Sequence, residues 1–467
     1  MSVGAASPEP SSRALRPDGR REALVPLDVR GRFVSARRLV FAGLMLVYLA
    51  IPFVVIGGHP AVHLDVPARR FYLFGGSFNA EDVWMVALLA LAFVFTLLLV
   101  TVWRGRLWCG WACPQTVFLE ALYRPIERLF EGSRSRRLRE AGRPRVLAQR
   151  ARTMGKHATF VALSLLLGHA ALIPFVPLGT MPALFRDGPG AHPMVFTWAM
   201  ALSALFYFDF AWFREQLCLV LCPYGRLQSV LHDGDSIVIG YDVRRGEPRA
   251  PLRALRVVSE ATPTPAGACI DCKKCVWACP TGIDIRNGFQ MECIACAQCI
   301  DVCDEVMDKI ERPRGLIRYA AQNTLEGRPA RGLRPRLVVY GALAALATVA
   351  FVASVVLRAP FEATVIRPVG VPWVLEGDRV RNQFDVHLVN KSAVPHTYQL
   401  AVESPVGIEA RFDPGPLALA SLGHARVPVL LLANRRGLDL ARALTLVVRE
   451  SESGRETRTP IRLLAPR

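Results

Sequence analysis

Eight of the twelve cysteines fall within residues 269–303, as Cys269-Ile-Asp-Cys272-Lys-Lys-Cys275-Val-Trp-Ala-Cys279-Pro280 and Cys293-Ile-Ala-Cys296-Ala-Gln-Cys299-Ile-Asp-Val-Cys303. Both runs have the spacing C-x2-C-x2-C-x3-C, in which three thiolates wrap one cubane iron–sulfur cluster while the fourth is carried on to ligate the other. Cluster I is therefore expected on Cys269, Cys272, Cys275 and Cys303, and cluster II on Cys293, Cys296, Cys299 and Cys279. Soft, electron-rich thiolate sulfur suits iron in such clusters. A zinc site usually shows paired C-x2-C knuckles across a longer gap, and disulfides do not suit a loop that the charge pattern below assigns to the reducing cytoplasm. Two [4Fe-4S] clusters are the expectation. Pro280 follows the first run, whereas Asp304 follows the second, where bacterial ferredoxins commonly repeat the proline; this touches packing beside cluster I, not its ligands.

The other four cysteines form a second pattern. Trp103-Arg-Gly-Arg-Leu-Trp-Cys109-Gly-Trp-Ala-Cys113-Pro114 and Trp212-Phe-Arg-Glu-Gln-Leu-Cys218-Leu-Val-Leu-Cys222-Pro223 share the Trp-to-Cys distance and the C-x3-C-P that follows, 109 residues apart. Each copy comes just after a pair of apolar runs, so the pattern is an internal duplication of hairpin plus motif. Cysteines at i and i+4 share a helix face, and two parallel hairpins would bring four thiols together at the membrane surface. Four such thiolates suit Cu(I), zinc or a further iron–sulfur cluster; the rival reading is small apolar packing at a helix end.

The elements that must position these cysteines are mostly apolar. The chain has 467 residues, 52% of them hydrophobic, yet it carries 57 Lys+Arg against 39 Asp+Glu and a formal charge of +18. Apolar content at this level excludes a largely disordered chain. Five stretches are long enough to cross a bilayer core: about 39–57, 83–103, 158–178, 194–213 and 337–357. Some 38 polar, Arg-rich residues precede the first, which is itself of span length, so a cleavable signal peptide is not expected. His169 and Asp209 are the ionisable residues of doubtful role inside spans: His169 reads as a packed, hydrogen-bonded structural residue, and Asp209 as one reaching the headgroups.

Cytoplasmic loops hold the excess of Lys and Arg. Residues 1–38 contain eight Arg and 104–157 contain twelve Arg and one Lys, whereas 58–82 and 179–193 contain only Arg69, Arg70 and Arg186. The expected topology is N-terminus in the cytoplasm, five spans in the bacterial inner membrane and C-terminus in the periplasm, with membrane lipid as the surroundings. Most of the positive charge then marks topology. No interleaved aromatic and basic groove is evident, so no nucleic-acid partner is expected.

Residues 360–467 alternate apolar and polar positions in short runs broken by Gly, Pro, Asn and Asp. Strands are expected at 363–368, 380–389, 396–403, 407–412, 424–432, 443–450 and 457–464, which suggests a β-sandwich. Within 380–389, Val380, Gln383, Asp385 and His387 are read against Arg381, Phe384, Val386 and Leu388. His387, His396 and His424 read as surface residues in an interaction module. No Walker-type phosphate loop and no G-x-G-x-x-G after a strand is present, so electrons are expected from an unidentified donor rather than from a nucleotide or flavin bound by this chain.

With these features the sequence resembles the bacterial cytochrome c oxidase accessory proteins of the CcoG/FixG/RdxA family. The resemblance covers nearly the whole chain after the first thirty or so residues. It rests on the five spans, the paired Cys-x3-Cys-Pro motifs, Cys279-Pro-Thr-Gly-Ile-Asp-Ile-Arg286, Glu292-Cys-Ile-Ala-Cys-Ala-Gln-Cys-Ile-Asp301, Gly315-Leu-Ile-Arg-Tyr319 and the terminal β region. It implies an α-helical membrane protein of five transmembrane helices, an inserted ferredoxin-like two-cluster cytoplasmic domain and a C-terminal all-β immunoglobulin-like sandwich. The expected divisions are 1–38 basic segment, 39–213 four-helix membrane domain, 214–336 ferredoxin-type domain, 337–357 fifth span and 360–467 sandwich. It also implies reduction of Cu(II) to Cu(I) for maturation of a cbb-type oxidase, with Cys109, Cys113, Cys218 and Cys222 handling copper as substrate or transient ligand. Oxidase subunits or copper chaperones would be the partners. Two rival readings are a membrane electron-transfer module, resembling the quinol-dehydrogenase subunits with ferredoxin clusters beside C-x3-C-P motifs, and a scaffold that merely holds oxidase subunits.

Overall fold

The computed structural model describes residues 24–57, 59–141, 143–144, 146–176, 178–251, 267–368, 370–371, 373–403, 408–412, 415–434 and 444–464. Residues 1–23 of the expected N-terminal segment, 252–266 of the expected cluster domain and the strand ends 407 and 443 lie outside the described residues. The chain folds as two compact bodies: one takes the chain up to Ile51 with Leu88–Ile173 and Leu178–Val349, the other Pro52–Ala87, Pro174–Pro177 and Ala350 onward.

Among the described residues, five helices are long and apolar enough to cross a membrane: Arg32–Phe53, Ala80–Arg104, Leu147–Phe175, Pro193–Phe213 and Pro335–Val356. Apolar side chains such as Leu46, Phe93, Leu205 and Leu346 stand exposed along them, as a lipid-facing surface requires. Two helices start well before the apolar runs: the first at Arg32 rather than 39, the third at Leu147 rather than 158. Hydropathy marks the part of a helix that meets lipid, and a helix continues into its polar surroundings wherever its ends are satisfied.

In the first body, the N-terminus of the first span is satisfied by a residue far away in sequence. The carboxylate of Asp301 accepts the backbone N–H groups of Phe33 (3.2 Å) and Val34 (2.8 Å), two of the donors that a helix start leaves open. The chain passes so close that a Cβ on Gly31 would stand 2.2 Å from Asp301 Cγ. Asp301 sits on helix Gln298–Lys309, between the cluster cysteines Cys299 and Cys303. The third and fourth spans pack where a small residue allows it: a Cβ on Gly168 would lie 2.3 Å from Ser203 Oγ, the close approach typical of membrane helix pairs.

The cluster-bearing segment folds around a small core of Ile239, Val276, Ile283, Ile300, Val306, Leu316 and Ile317. Strands Ile237–Tyr241 and Ile317–Ala321 pair antiparallel at one side of it, and the amphipathic helix Gln298–Lys309 buries Ile300, Val302, Val306 and Met307 at the other.

In the second body two antiparallel sheets share one apolar core. One runs Ile408–Arg411, His424–Asn434, Arg379–Asn390 and Phe361–Ile366, with Val374–Glu376 against the start of the long third strand; the other runs Leu417–Leu419, His396–Glu403, Leu444–Glu450 and Glu456–Ile461. All seven expected strands are found, and the short ones at Val374–Glu376 and Leu417–Leu419 are additional. The face assignment along 380–389 needs one correction. Val380, Asn382, Phe384, Val386 and Leu388 are the buried set, because a period of two places Val380 with Phe384, and Arg381 with Gln383, Asp385 and His387. The connection before the second span joins this body through fully buried Asp82, which pairs with Arg358 (2.5 Å) and Lys391 (3.0 Å).

Replacing Asp301 by Ala should weaken the start of the first span by about 2 kcal/mol, the usual worth of hydrogen bonds to a charged acceptor. Hydrogen exchange of the Phe33 and Val34 amides is the measurement; unchanged protection would show that the cap contributes nothing.

Candidate functional site

The eight loop cysteines close on two cavities. One, of about 20 Å³, is lined by Cys269, Cys272, Cys275 and Cys303 with Tyr241 and Arg286. The other, also about 20 Å³, is lined by Cys279, Cys293, Cys296 and Cys299 with Ile239, Thr281, Ile283 and Ile294, and Cys275 lines it too. The structure thus brings together the two quartets expected from the spacing. Helix Gln298–Lys309 explains the exchange of fourth ligands: Cys299 and Cys303 are one turn apart, about 6 Å along the axis at 1.5 Å per residue.

Backbone geometry repeats in the two loops. Asp271 and Lys273 flank Cys272 at φ of 49° and 55°, and Ala295 and Ala297 flank Cys296 at 55° and 61°. None is glycine, so each residue carries the strain of the left-handed region. Such alternation turns successive N–H groups toward one point, a nest suited to a bound anion such as a thiolate-ligated cluster. The donor sets fit [4Fe-4S] clusters: four thiols around each enclosed, largely apolar cavity. Burial pushes Cys296 up to about 11 and Cys293 and Cys303 to about 12, so metal must displace protons to gain thiolate ligands.

The membrane-edge cysteines also converge. Cys109 and Cys218 lie in the turns Leu107–Trp111 and Leu217–Leu221, while Cys113 and Cys222 cap the next helices, Pro114–Phe118 and Pro223–Leu231, with proline at the first position of both. Here the sequence expectation is corrected: the second cysteine of each pair does not share a helix with the first, because proline cannot donate an N–H and so starts a new helix after it. Burial raises the Cys109, Cys113 and Cys218 thiols, and each also feels the charge of its neighbours in the quartet, while the guanidinium of Arg106 favours the thiolate at all three. No three of the four sulfurs lie within 4.8 Å of one another. A single ion with metal–sulfur bonds near 2.3 Å needs its thiolates about 3.8 Å apart, so the quartet stands wider than a four-thiolate mononuclear site.

Buried polar contacts hold the two copies in place. Gln115, just after the first motif, donates to Asp209 Oδ1 (3.2 Å) and to the carbonyl of Arg214 (3.0 Å). Asp209 is therefore tied inward rather than reaching for headgroups. Arg214 pairs with Glu127 (2.6 and 3.1 Å), and Arg124 with Glu215 (2.5 Å). Burial alone would raise Glu215, but Arg124 and Arg214 outweigh it and hold the carboxyl below its ordinary range. His169 bonds the carbonyl of Leu165 (2.7 Å) and stacks on Phe185, as a structural residue would.

Cys109 of the thiol quartet sits directly on the loop of the second cavity. Cys109, Ile294 and Cys296 pack together with Tyr224 beside them, and a Cβ on Gly110 would meet the carbonyl oxygens of Ile294 and Ala295 at 2.5 and 2.9 Å. Arg37 of the first span donates to the Gly110 carbonyl (2.9 Å), and its guanidinium also meets Gln298, whose amide donates onward to the Ala278 carbonyl (3.0 Å). Arg106 donates to the carbonyl of Met291. Tyr319 donates to the carbonyl of Ala295 (2.7 Å) and accepts from Trp111 Nε1 (3.3 Å). Sequence reasoning passed over Arg37, Arg106 and Gly110; Arg37 stands two residues before the apolar run that opens at 39, among other basic residues, and nothing local marked any of the three.

Comparison with known proteins finds iron–sulfur families over the cysteine-bearing segments. A family model described as a 4Fe-4S dicluster domain matches residues 213–322, a 4Fe-4S binding domain matches 86–134, and the IG-like fold at the C-terminal of FixG matches 351–466. The chain is 34% identical to Protein RdxA of Cereibacter sphaeroides over 437 residues, covering 90% of this chain and 88% of that one. It is 34% identical to the nitrogen fixation protein FixG of Rhizobium meliloti, covering 82% and 80%. A crystal structure of a FixG-related protein from Vibrio parahaemolyticus aligns with 23% of this chain and 96% of its own at 16% identity and a TM-score of 0.21.

Two predictions follow from the cross-over of ligands and from the close approach. Cys279→Ser should release the iron of the second cavity only, and Cys303→Ser that of the first, each leaving about four Fe per chain by anaerobic iron and sulfide analysis; loss of both centres in both variants would contradict separable sites. Gly110→Val should leave that iron content intact while slowing electron transfer from the reduced loop to an added acceptor at least tenfold by stopped-flow absorbance. Wild-type rates in this variant would show that the contact is not on the path.

Proposed function

The chain belongs to the FixG/RdxA family of membrane iron–sulfur oxidoreductases, and on that premise we propose that it reduces Cu(II) to Cu(I) at Cys109, Cys113, Cys218 and Cys222 in support of cbb-type oxidase assembly. The observation that carries the reading is the contact of Cys109 and Gly110 with Ile294–Cys296. It seats Cys109, one of the four soft donors, directly against Ile294 and Cys296 in the wall of the second cluster cavity.

[4Fe-4S] groups held by the eight loop cysteines supply one-electron transfer at low potential. The surrounding side chains then do three things. Arg106 favours thiolate over thiol at the quartet, Arg37 and Tyr319 keep the Cys293–Cys299 loop seated, and the Arg124–Glu215 and Arg214–Glu127 pairs keep the two C-x3-C-P copies in register. Cu(II) as substrate gains one electron, and the product is a soft ion that prefers thiolate ligands.

The topology reading places this site at the cytoplasmic face of the inner membrane. It is supported by the excess of Lys and Arg in 1–38 and 104–157 over 58–82 and 179–193. The two-sheet domain, read as an immunoglobulin-like module in the periplasm, would meet oxidase subunits or copper chaperones. An external donor supplies the electrons. A second reading of the quartet is a third cubane cluster, favoured by the wide sulfur spacing and by the 4Fe-4S model over 86–134.

Replacing Cys109 or Cys218 by Ala should leave the cluster absorbance in place and abolish cupric reduction; unchanged reduction in both variants would sink the copper assignment. Anaerobic iron, sulfide and copper analysis of the wild type beside the variant lacking all four thiols separates the two readings: about eight Fe in both supports copper, whereas about twelve falling to eight supports a third cluster.

A further inference from the structure

His396, Glu450 and Glu452 converge at one end of the two-sheet domain. His396 opens strand His396–Glu403, and Tyr398, two residues on, lies on the same face. Glu450 closes the neighbouring strand directly opposite Tyr398, and the turn that follows folds Glu452 back over the pair. His396 Nδ1 is 2.9 Å from Glu450 Oε1 and 3.5 Å from Glu452 Oε2, and the three donor atoms all lie within 4.8 Å of one another. Donors each about 2.1 Å from a tetrahedral ion stand roughly 3.4 Å apart, a spacing that those two distances bracket.

We propose that His396, Glu450 and Glu452 bind a divalent transition-metal ion of the class that accepts imidazole and carboxylate together, Cu(II) or Zn(II). An ordinary histidine–carboxylate pair does not account for the arrangement. Despite its short distance to Glu450, Nδ1 is buried with no hydrogen-bond partner: the lone-pair directions do not match a shared proton. Glu450 is only 2% exposed, and among the described residues no Lys or Arg pairs with it or with Glu452. Even with the imidazole protonated, the two carboxylates leave the cluster one negative charge in excess, carried by Glu452, whose side chain is 49% exposed and so can meet a cation from solvent.

The second observation is Tyr398. It is fully buried, and its hydroxyl has no partner. Its ring lies 6.5 Å from that of His396. A cation at the three donors gives the orphaned oxygen something to face. Preorganisation is also present: the N–H of Thr397 holds the Glu452 carboxylate (3.1 and 3.3 Å), and Ser453 Oγ donates to the second oxygen of Glu450. Nitrogen and oxygen donors distinguish this site from the thiol quartet, since hard-to-borderline ligands favour Cu(II) and Zn(II) over Cu(I). The proposal stands independently of copper reduction.

The test uses the full chain in detergent, with any polyhistidine tag removed, loaded separately with Cu(II) and with Zn(II) and desalted before metal analysis. Wild type should retain one equivalent more than Glu452→Gln, whose side chain is half exposed on the turn and can change without disturbing the core. In the Cu(II) arm, the wild type should show an electron paramagnetic resonance signal with nitrogen coupling that His396→Gln lacks. A difference with one ion only identifies which ion the site takes. Equal metal content in wild type and Glu452→Gln with both ions overturns the proposal, whatever His396→Gln does.

Discussion

The close approach between Gly110 and the carbonyl groups of Ile294 and Ala295 is the constraint on which the first body depends. A backbone turn at the membrane edge can lie against a cysteine loop only where one partner has no side chain, and Gly110 is that partner. Around this contact the remaining groups fall into place. Arg37 takes the carbonyl of Gly110, Tyr319 takes that of Ala295, and Asp301 caps the helix that carries Arg37. Each of these residues serves two elements at once. The seating of the cluster loop therefore combines a connected set of hydrogen bonds with the apolar contact of Cys109 on Ile294 and Cys296.

Charge is arranged with the same economy. The site gathers thiols that become anionic on binding metal, and it sets Arg106 beside the membrane-edge quartet and Arg286 beside the first cavity. Arg286 is itself held by Asp284 (2.6 Å) and Asp271 (2.5 Å), so its positive end is fixed rather than free to swing. Deeper in, Arg124, Glu215, Arg214 and Glu127 satisfy one another. Breaking such a buried network by removing one member leaves a charge unpaired, which is why these groups hold position more than they add net stability.

Much of the site is legible in the sequence because iron–sulfur ligation imposes its own ruler. Cysteine spacing alone divides the eight loop residues into two quartets, including the exchange of Cys279 and Cys303, and the cavities repeat that division. The duplicated C-x3-C-P is equally visible as a pattern. Its local geometry is not, because the expectation of one shared helix face treats the motif as continuous and Pro114 and Pro223 start new helices. His396 shows the limit in another way: read alone it is a surface histidine, and only strand pairing brings Glu450 and the Glu452 turn to it.

Local spacing is enough to read the five apolar spans, the two four-cysteine runs, the duplication and the alternation of the terminal strands, since each depends on residues close together in the chain or on a fixed repeat. Only packing across the fold makes Asp301 cap a helix 267 residues away, points Arg37 at Gly110, turns Asp209 to Gln115, and sets Cys109 on Ile294 and Cys296. Those contacts join side chains and backbone groups whose separation along the chain carries no period. Their partners exist only once the helices, the cluster loop and the strands are packed.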